Sequence, residues 1–279
     1  MVVKSKRSNK NAKNSKKNVI FCILGFLLIF LIFMLGFCIF KFINSNISNF
    51  KVESRVENIE KSKKNFSKFG SVVSWIKVQG TNIDYPVLYY PNGNFNEIPD
   101  DFAWTEADYN GKLNNIVYIS GHNIKNLSSN PLIADESNNR FEQLMSFTYL
   151  DFVKDNQFIQ YTINGKDYVY RIYSVSYVQT YELDLYNQSS YSKDMMKIYI
   201  AQTKAKSIFE FDTDVNENDS IISLDTCTRM YGSRKNYHFR VNGRLLRENE
   251  RIKKVKVKQT SKYDEIEKLM EGGESYEES

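Results

Sequence analysis

"SIISLDTCTRMYG", residues 220–232, reads as a buried strand that ends on a thiol. Ile221, Ile222 and Leu224 supply the apolar run and Cys227 closes it. After a polar loop comes "NYHFRVNGRLL", residues 236–246, and the two segments make a strand pair. Phe239 and Val241 are the core-facing residues of the returning strand, so period-two alternation puts His238, Arg240 and Asn242 on the opposite face.

The same texture extends upstream. "VVSWIKV" (72–78) is followed by the turn signal "GTN" and then "IDYPVLYY" (83–90). "NNIVYISGHN" (114–123) is an apolar strand running into a glycine. "FIQYTINGKDYVYRIYSVSYV" (158–178) is the clearest hairpin, with Asn164-Gly165 as the tight turn between aromatic and β-branched arms. Helical breaks fall at about 139–147 and 192–204. Seven or eight strands with few helices suit a closed β-barrel or a sandwich. Nineteen Tyr and nineteen Phe against four Pro and twelve Gly agree with a β-rich core.

The formal charge of +5 divides unevenly: residues 1–18 hold seven Lys/Arg and no acid, leaving about −2 for the rest. That balance gives nucleic-acid binding no electrostatic support. Val19 through Phe40 is a run of twenty-two uncharged residues, longer than the apolar region of a signal peptide and followed by no small-residue cleavage site. It is expected to be a transmembrane anchor (19–43), with the basic tail 1–18 cytoplasmic and the remainder outside. Residues 51–69 place Val52, Val56, Ile59, Phe66 and Phe69 at helical spacing, an amphipathic helix leading into the domain. From Arg247 the chain is charged and poor in large apolar residues, and 248–279 is expected to be a flexible tail.

Topology makes the cysteine count informative. Cys22 and Cys38 fall in the membrane run, leaving Cys227 without a partner in an oxidising compartment. A nucleophilic thiol needs a proton acceptor, and the chain holds only two histidines, His122 and His238. His122 follows a strand end at Gly121, as Cys227 ends its own strand, so two strand ends can present the pair to one cleft. Arg240 can stand beside Cys227 if its face lines that cleft, whereas Arg244 is expected to be a solvated surface charge. One exported cysteine and two histidines give no zinc-ligand spacing.

"ISLDTCTRM…YHFRVNGRLL", with "VYISGHN" about 105 residues upstream and "WIKVQGTNIDYPVLYY" (75–90) before that, resembles the sortases, membrane-anchored cysteine transpeptidases of Gram-positive bacteria. The family's cysteine motif reads roughly T-L-x-T-C, and Ser223-Leu224-Asp225-Thr226-Cys227 fits it with serine in the first place. The N-terminal helix and the His-Asn after the glycine point to class B. Over residues 50–247, with the helix at 50–70, the resemblance implies a mainly β fold, a closed eight-stranded barrel with short added helices.

The resemblance also implies the chemistry. Cys227 would attack a threonine carbonyl in the C-terminal sorting signal of a secreted protein, with His122 as general acid/base. A peptidoglycan amine would then take the acyl group. Asp225, Thr226 and Asn123 are the expected substrate contacts, and no cofactor or metal is implied. Two departures stand out. Asp225 occupies a place where class B members often carry serine. The family's essential arginine usually lies five residues before the glycine of the last strand, and counting back from Gly243 gives His238. Arg240 is the expected catalytic arginine, with Arg234 as runner-up. The rival readings are an L,D-transpeptidase-like or other wall-modifying cysteine hydrolase, and a non-catalytic tethered β-domain in which Cys227 is inert.

Overall fold

The computed structural model describes residues 21, 23–41, 48–65, 70–90, 98, 102–106, 112–123, 141–179, 190–232 and 236–271. The chain divides into two compact units, Met1–Ile47 and Ser48–Ser279. In the first, helix α1 (Ile23–Lys41) runs for 19 residues and has a mean hydropathy of 3.0 over an 18-residue stretch. At 1.5 Å per residue it extends about 28 Å, long and apolar enough to cross a hydrocarbon core. Cys22 lies outside the described residues.

The second unit is built on a closed barrel of eight strands in the order β1-β2-β3-β4-β8-β9-β6-β5. These are β1 (Ser71–Val78), β2 (Asp84–Tyr89), β3 (Ala103–Thr105), β4 (Ile116–Gly121), β5 (Phe158–Ile163), β6 (Lys166–Gln179), β8 (Ile221–Thr228) and β9 (Tyr237–Leu245). The open choice between barrel and sandwich resolves as a barrel. The β5–β6 hairpin turns where expected, with Asn164 at φ 52° and Gly165 at φ 69°. Both central residues of this tight turn need positive φ, which Asn-Gly supplies at least steric cost.

β2–β3 and β4–β8 are the parallel pairs of the barrel, and its other neighbours are antiparallel. Ile76, Val87, Ile119, Tyr161, Ile172, Leu224, Phe239 and Val241 belong to the core that fills it. A second, smaller core forms outside the wall. Helix α4 (Lys193–Lys206) contributes Met196, Tyr199 and Ile200, which cluster with Ile116 and Tyr118 of β4, Tyr173 of β6 and Ile221 of β8. Ser192 caps α4 by accepting a hydrogen bond from Met195 N. The outer face of β4, β8 and β6 is therefore covered here rather than wet.

Three expectations change. The helix expected over 51–69 is α2, Val56–Asn65. Residues 51–55 stay outside the helix, and Glu53 there exchanges backbone hydrogen bonds with the Gln160 side chain, which accepts from its N–H at 3.2 Å and donates to its carbonyl at 2.6 Å. Phe66 and Phe69 lie outside the described residues. The tail expected to be flexible is folded over much of its length. β10 (Val257–Gln259) pairs antiparallel with β7 (Phe209–Phe211), and α5 (Ser261–Glu271) buries Tyr263 and Ile266. A few well-spaced apolar residues suffice there because the barrel unit supplies the surface they pack on. Arg244 is not solvated but only 2% exposed. The chain folds back after β9 and brings Glu250 onto its guanidinium, with Nη2 donating to Oε1 at 2.9 Å.

The remaining helical segments fill gaps in the structure. Phe141–Thr148 is a 3-10 helix with every residue buried, packed against β8 and β9. Helix α3 (Leu150–Asp155) follows it directly.

Candidate active site

The site forms where β4 and β8 end side by side. Their parallel register runs from Ile116 opposite Ile221 to Ser120 opposite Asp225. Two further residues along each chain bring His122 level with Cys227. Bonds on both sides of His122 hold this alignment beyond the ladder: Thr226 Oγ1 donates to Gly121 O at 2.7 Å, and Asn123 Nδ2 donates to Cys227 O at 2.9 Å. The structure thus brings together the two strand ends named from the sequence.

Gly121 is a glycine for a packing reason. A Cβ there would clash with Cγ of the Phe141 ring, which is itself fully buried. Gly121→Ala is expected to cost about 1–3 kcal/mol through overpacking, and to push His122 out of line. A lowered melting temperature together with a lowered turnover is the expected reading; an unchanged turnover in a destabilised variant would show that His122 needs no such seat. On its other side the imidazole ring lies 4.7 Å from the Trp104 ring of β3, tilted by 51°.

Cys227 is exposed at the surface. The protein mass behind it nevertheless raises its thiol above the ordinary value by desolvation, and the Asp225 charge adds to that while Arg229 pulls it back. The resting residue is therefore a thiol rather than a standing thiolate. A nearby proton acceptor must activate it in the encounter with substrate.

Across β8 lies β9, whose antiparallel register sets His238 opposite Cys227 and Arg240 opposite Asp225. Asp225 is 1% exposed and holds both partners. The His238 Nδ1–H donates to its Oδ2 at 2.5 Å, and Arg240 Nε donates to Oδ1 at 3.2 Å. Arg240 is 3% exposed, and its guanidinium carbon lies 5.3 Å from the Tyr118 ring centroid. The arginine expected to meet the nucleophile is thus packed under α4's cluster, two register positions back from Cys227 along the β8–β9 pair. Arg234 lies outside the described residues. The three expected substrate contacts, Asp225, Thr226 and Asn123, are buried and bonded to protein. Among the described residues, no group of three or more His, Cys, Asp or Glu side chains is placed to hold a metal ion.

An exposed cysteine and a histidine held at adjacent strand ends of a closed barrel define a thiol acyl-transfer site. Comparison with known proteins gives this class its family. The Sortase domain model matches residues 76–245. Sortase B of Staphylococcus aureus (strain NCTC 8325 / PS 47) is 25% identical over 185 residues, covering 64% of this chain and 70% of that protein. The solved structure of Clostridium perfringens sortase B is 27% identical, with a TM-score of 0.52, covering 67% of this chain and 100% of that one. The sortase B of the type II pilus of Streptococcus pneumoniae shares the fold at 20% identity, with a TM-score of 0.51 over 70% of this chain and 98% of that one. The chain belongs to the sortase family, its relatives are class B sortases, and it is a cysteine transpeptidase.

Proposed function

We propose that this transpeptidase is tethered to the cell membrane by residues 19–43, with residues 1–18 cytoplasmic, and attaches secreted proteins to peptidoglycan from outside. The seven basic residues before α1 support that orientation. In the proposed cycle Cys227 Sγ attacks a threonine carbonyl in a C-terminal sorting signal while His122 accepts the thiol proton. The C–N bond breaks as His122 returns that proton to the leaving amine, and a thioester remains on Cys227. A peptidoglycan amine then attacks the thioester and yields its proton to His122. The S–C bond breaks as His122 passes that proton to Sγ, and the Cys227 thiol is regenerated. Arg240, bonded to Asp225 behind the nucleophile, offsets that buried carboxylate and holds it in place.

The observation that carries this reading is the alignment of His122 with the exposed Cys227 at the paired ends of β4 and β8. The test is a library of threonine-containing peptides presented to the full chain in detergent micelles. Mass spectrometry should find cleavage after threonine and an acyl adduct on the peptide that carries Cys227. Cleavage without any such adduct would defeat the covalent mechanism. His122→Ala should lower kcat/KM by at least about 10²-fold, in line with general acid–base contributions. In a non-catalytic tethered domain the same replacement would change nothing measurable.

A further inference from the structure

His238 is the residue that the barrel sets directly across from Cys227. Residues opposed in an antiparallel pair have Cβ atoms about 4.5–5.5 Å apart. Leu224 and Thr226 alternate with Asp225 and Cys227 along β8, as Phe239 and Val241 alternate with His238 and Arg240 along β9. Leu224, Phe239 and Val241 belong to the barrel core, so Cys227, His238, Asp225 and Arg240 share the outer face. Of the three cationic side chains on that face of β9, His238, Arg240 and Arg244, His238 is the one that reaches the surface, with its side chain 21% exposed against 4% and 2% for the arginines.

The charges around His238 have a definite balance. Asp225 on β8 and Arg240 on β9 flank it, Cys227 faces it, and β6 offers only the uncharged Val178 opposite. Beyond Cys227 stand Arg229, whose charge acts on the thiol, and His122 at the end of β4. Arginine remains charged at every working pH and already offsets the buried carboxylate of Asp225. A proton on His238 is therefore not cancelled, and its charge faces the nucleophile. Asp225 holds the ring by Nδ1, which leaves Nε2 as the free donor.

We propose that protonated His238 is a catalytic residue, donating a hydrogen bond from Nε2 to the carbonyl oxygen of the acyl group as that oxygen becomes an oxyanion. It forms no covalent bond and keeps its proton throughout; the proton transfers stay with His122. Asp225 is a positioning residue for the ring, and Arg240 is one through Asp225. The role rests on the transpeptidase reading, but the cation beside Cys227 can be read without any substrate.

The first measurement is alkylation of Cys227 in the full chain by iodoacetate, an anion, and by neutral iodoacetamide, across pH 5–9. The peptide bearing Cys227 is followed by mass spectrometry. His238→Gln keeps a donor for Asp225 without charge, and should lower the preference for iodoacetate at least about threefold. His238→Arg, whose charge is permanent, should retain that preference across the whole range. The second measurement is peptide turnover. His238→Gln should lower kcat by about 10²-fold with little change in KM, as for removal of one oxyanion donor. His238→Arg should recover at least tenfold of that.

Alkylation and turnover of His238→Gln within about threefold of wild type would overturn the proposal. So would turnover in His238→Arg no higher than in His238→Gln, or loss of the anion preference in Arg234→Ala but not in His238→Gln. A circular-dichroism melt identifies any unfolded variant, and His238→Arg then decides. If the anion preference depends on His238 yet no peptide is cut, the transpeptidase cycle fails while the cation beside Cys227 stands.

Discussion

Cys227→Ala abolishes peptide cleavage and leaves the barrel folded. Cys227 stands exposed at the end of β8, and its backbone carbonyl, not its thiol, receives the bond from Asn123. Removing Sγ therefore takes away the nucleophile while sparing the tie between the β4 and β8 ends. The stability change is expected to stay within about 0.5 kcal/mol, as for surface sites away from special features. Turnover should fall below detection, because no other described side chain at this end of the barrel offers a thiol. Cys227→Ser retains an oxygen that is a poorer nucleophile, and should also show no acyl adduct on the assay's timescale. Substantial cleavage by either variant would mean that another group carries the acyl step. Alkylation of the wild type adds a pH test. Desolvation by the protein behind it and the Asp225 charge raise this thiol above its ordinary value, so its reactivity should keep climbing past the pH at which a free cysteine levels off. A plateau at neutral pH would contradict the resting thiol.

What the sequence disclosed and what it concealed divide along contact distance. The Asn164-Gly165 hairpin was legible because turn and arms lie together in the chain. The β8–β9 pair was legible for the same reason, down to which of its residues face the core. The adjacency of β4 and β8 joins residues about 105 apart and has no local signature. His122 and Cys227 were associated through chemical scarcity, and the parallel register then placed them level. Arg240 shows the limit of alternation. Its face of β9 was correct, but not that α4's cluster roofs the same face and takes the guanidinium onto Tyr118. His238 carried a signal in its position five residues before Gly243, yet only the structure pairs it with Asp225. The folded part of the tail escaped notice because Val257, Tyr263 and Ile266 are sparse among charges, and their partners lie elsewhere.

Glu250→Gln should destabilise the barrel unit more than any other conservative change of one charge on its surface. Glu250 is the shared anion for two arginines that the fold has buried: Arg171 from β6 and Arg244 from β9, with side chains 7% and 2% exposed. Arg171 Nη1 donates to one of its oxygens, and Arg244 uses both of its terminal nitrogens on the pair. A neutral amide can accept from one of them but cannot balance two buried cations. Breaking such a pair typically costs about 3–5 kcal/mol. The lower figure applies here, since the Glu250 side chain is 26% exposed and water screens part of the charge. A loss of about 3 kcal/mol corresponds to a melting temperature roughly 6–12 °C lower for a unit of this size. Acid should erase the difference. The bond from Arg244 is the main cause that lowers the Glu250 carboxyl from 4.5 to about 2. A carboxylate depressed on folding stabilises fully above its unfolded value, and that stability is lost as pH falls through the folded one. Wild type and Glu250→Gln should therefore differ in full above about pH 4.5 and converge toward pH 2. Melts at pH 7 that agree within about 0.5 kcal/mol would show that the two arginines are held by their backbone carbonyl partners instead, Arg251 O for Arg171 and Asp214 O and Leu245 O for Arg244.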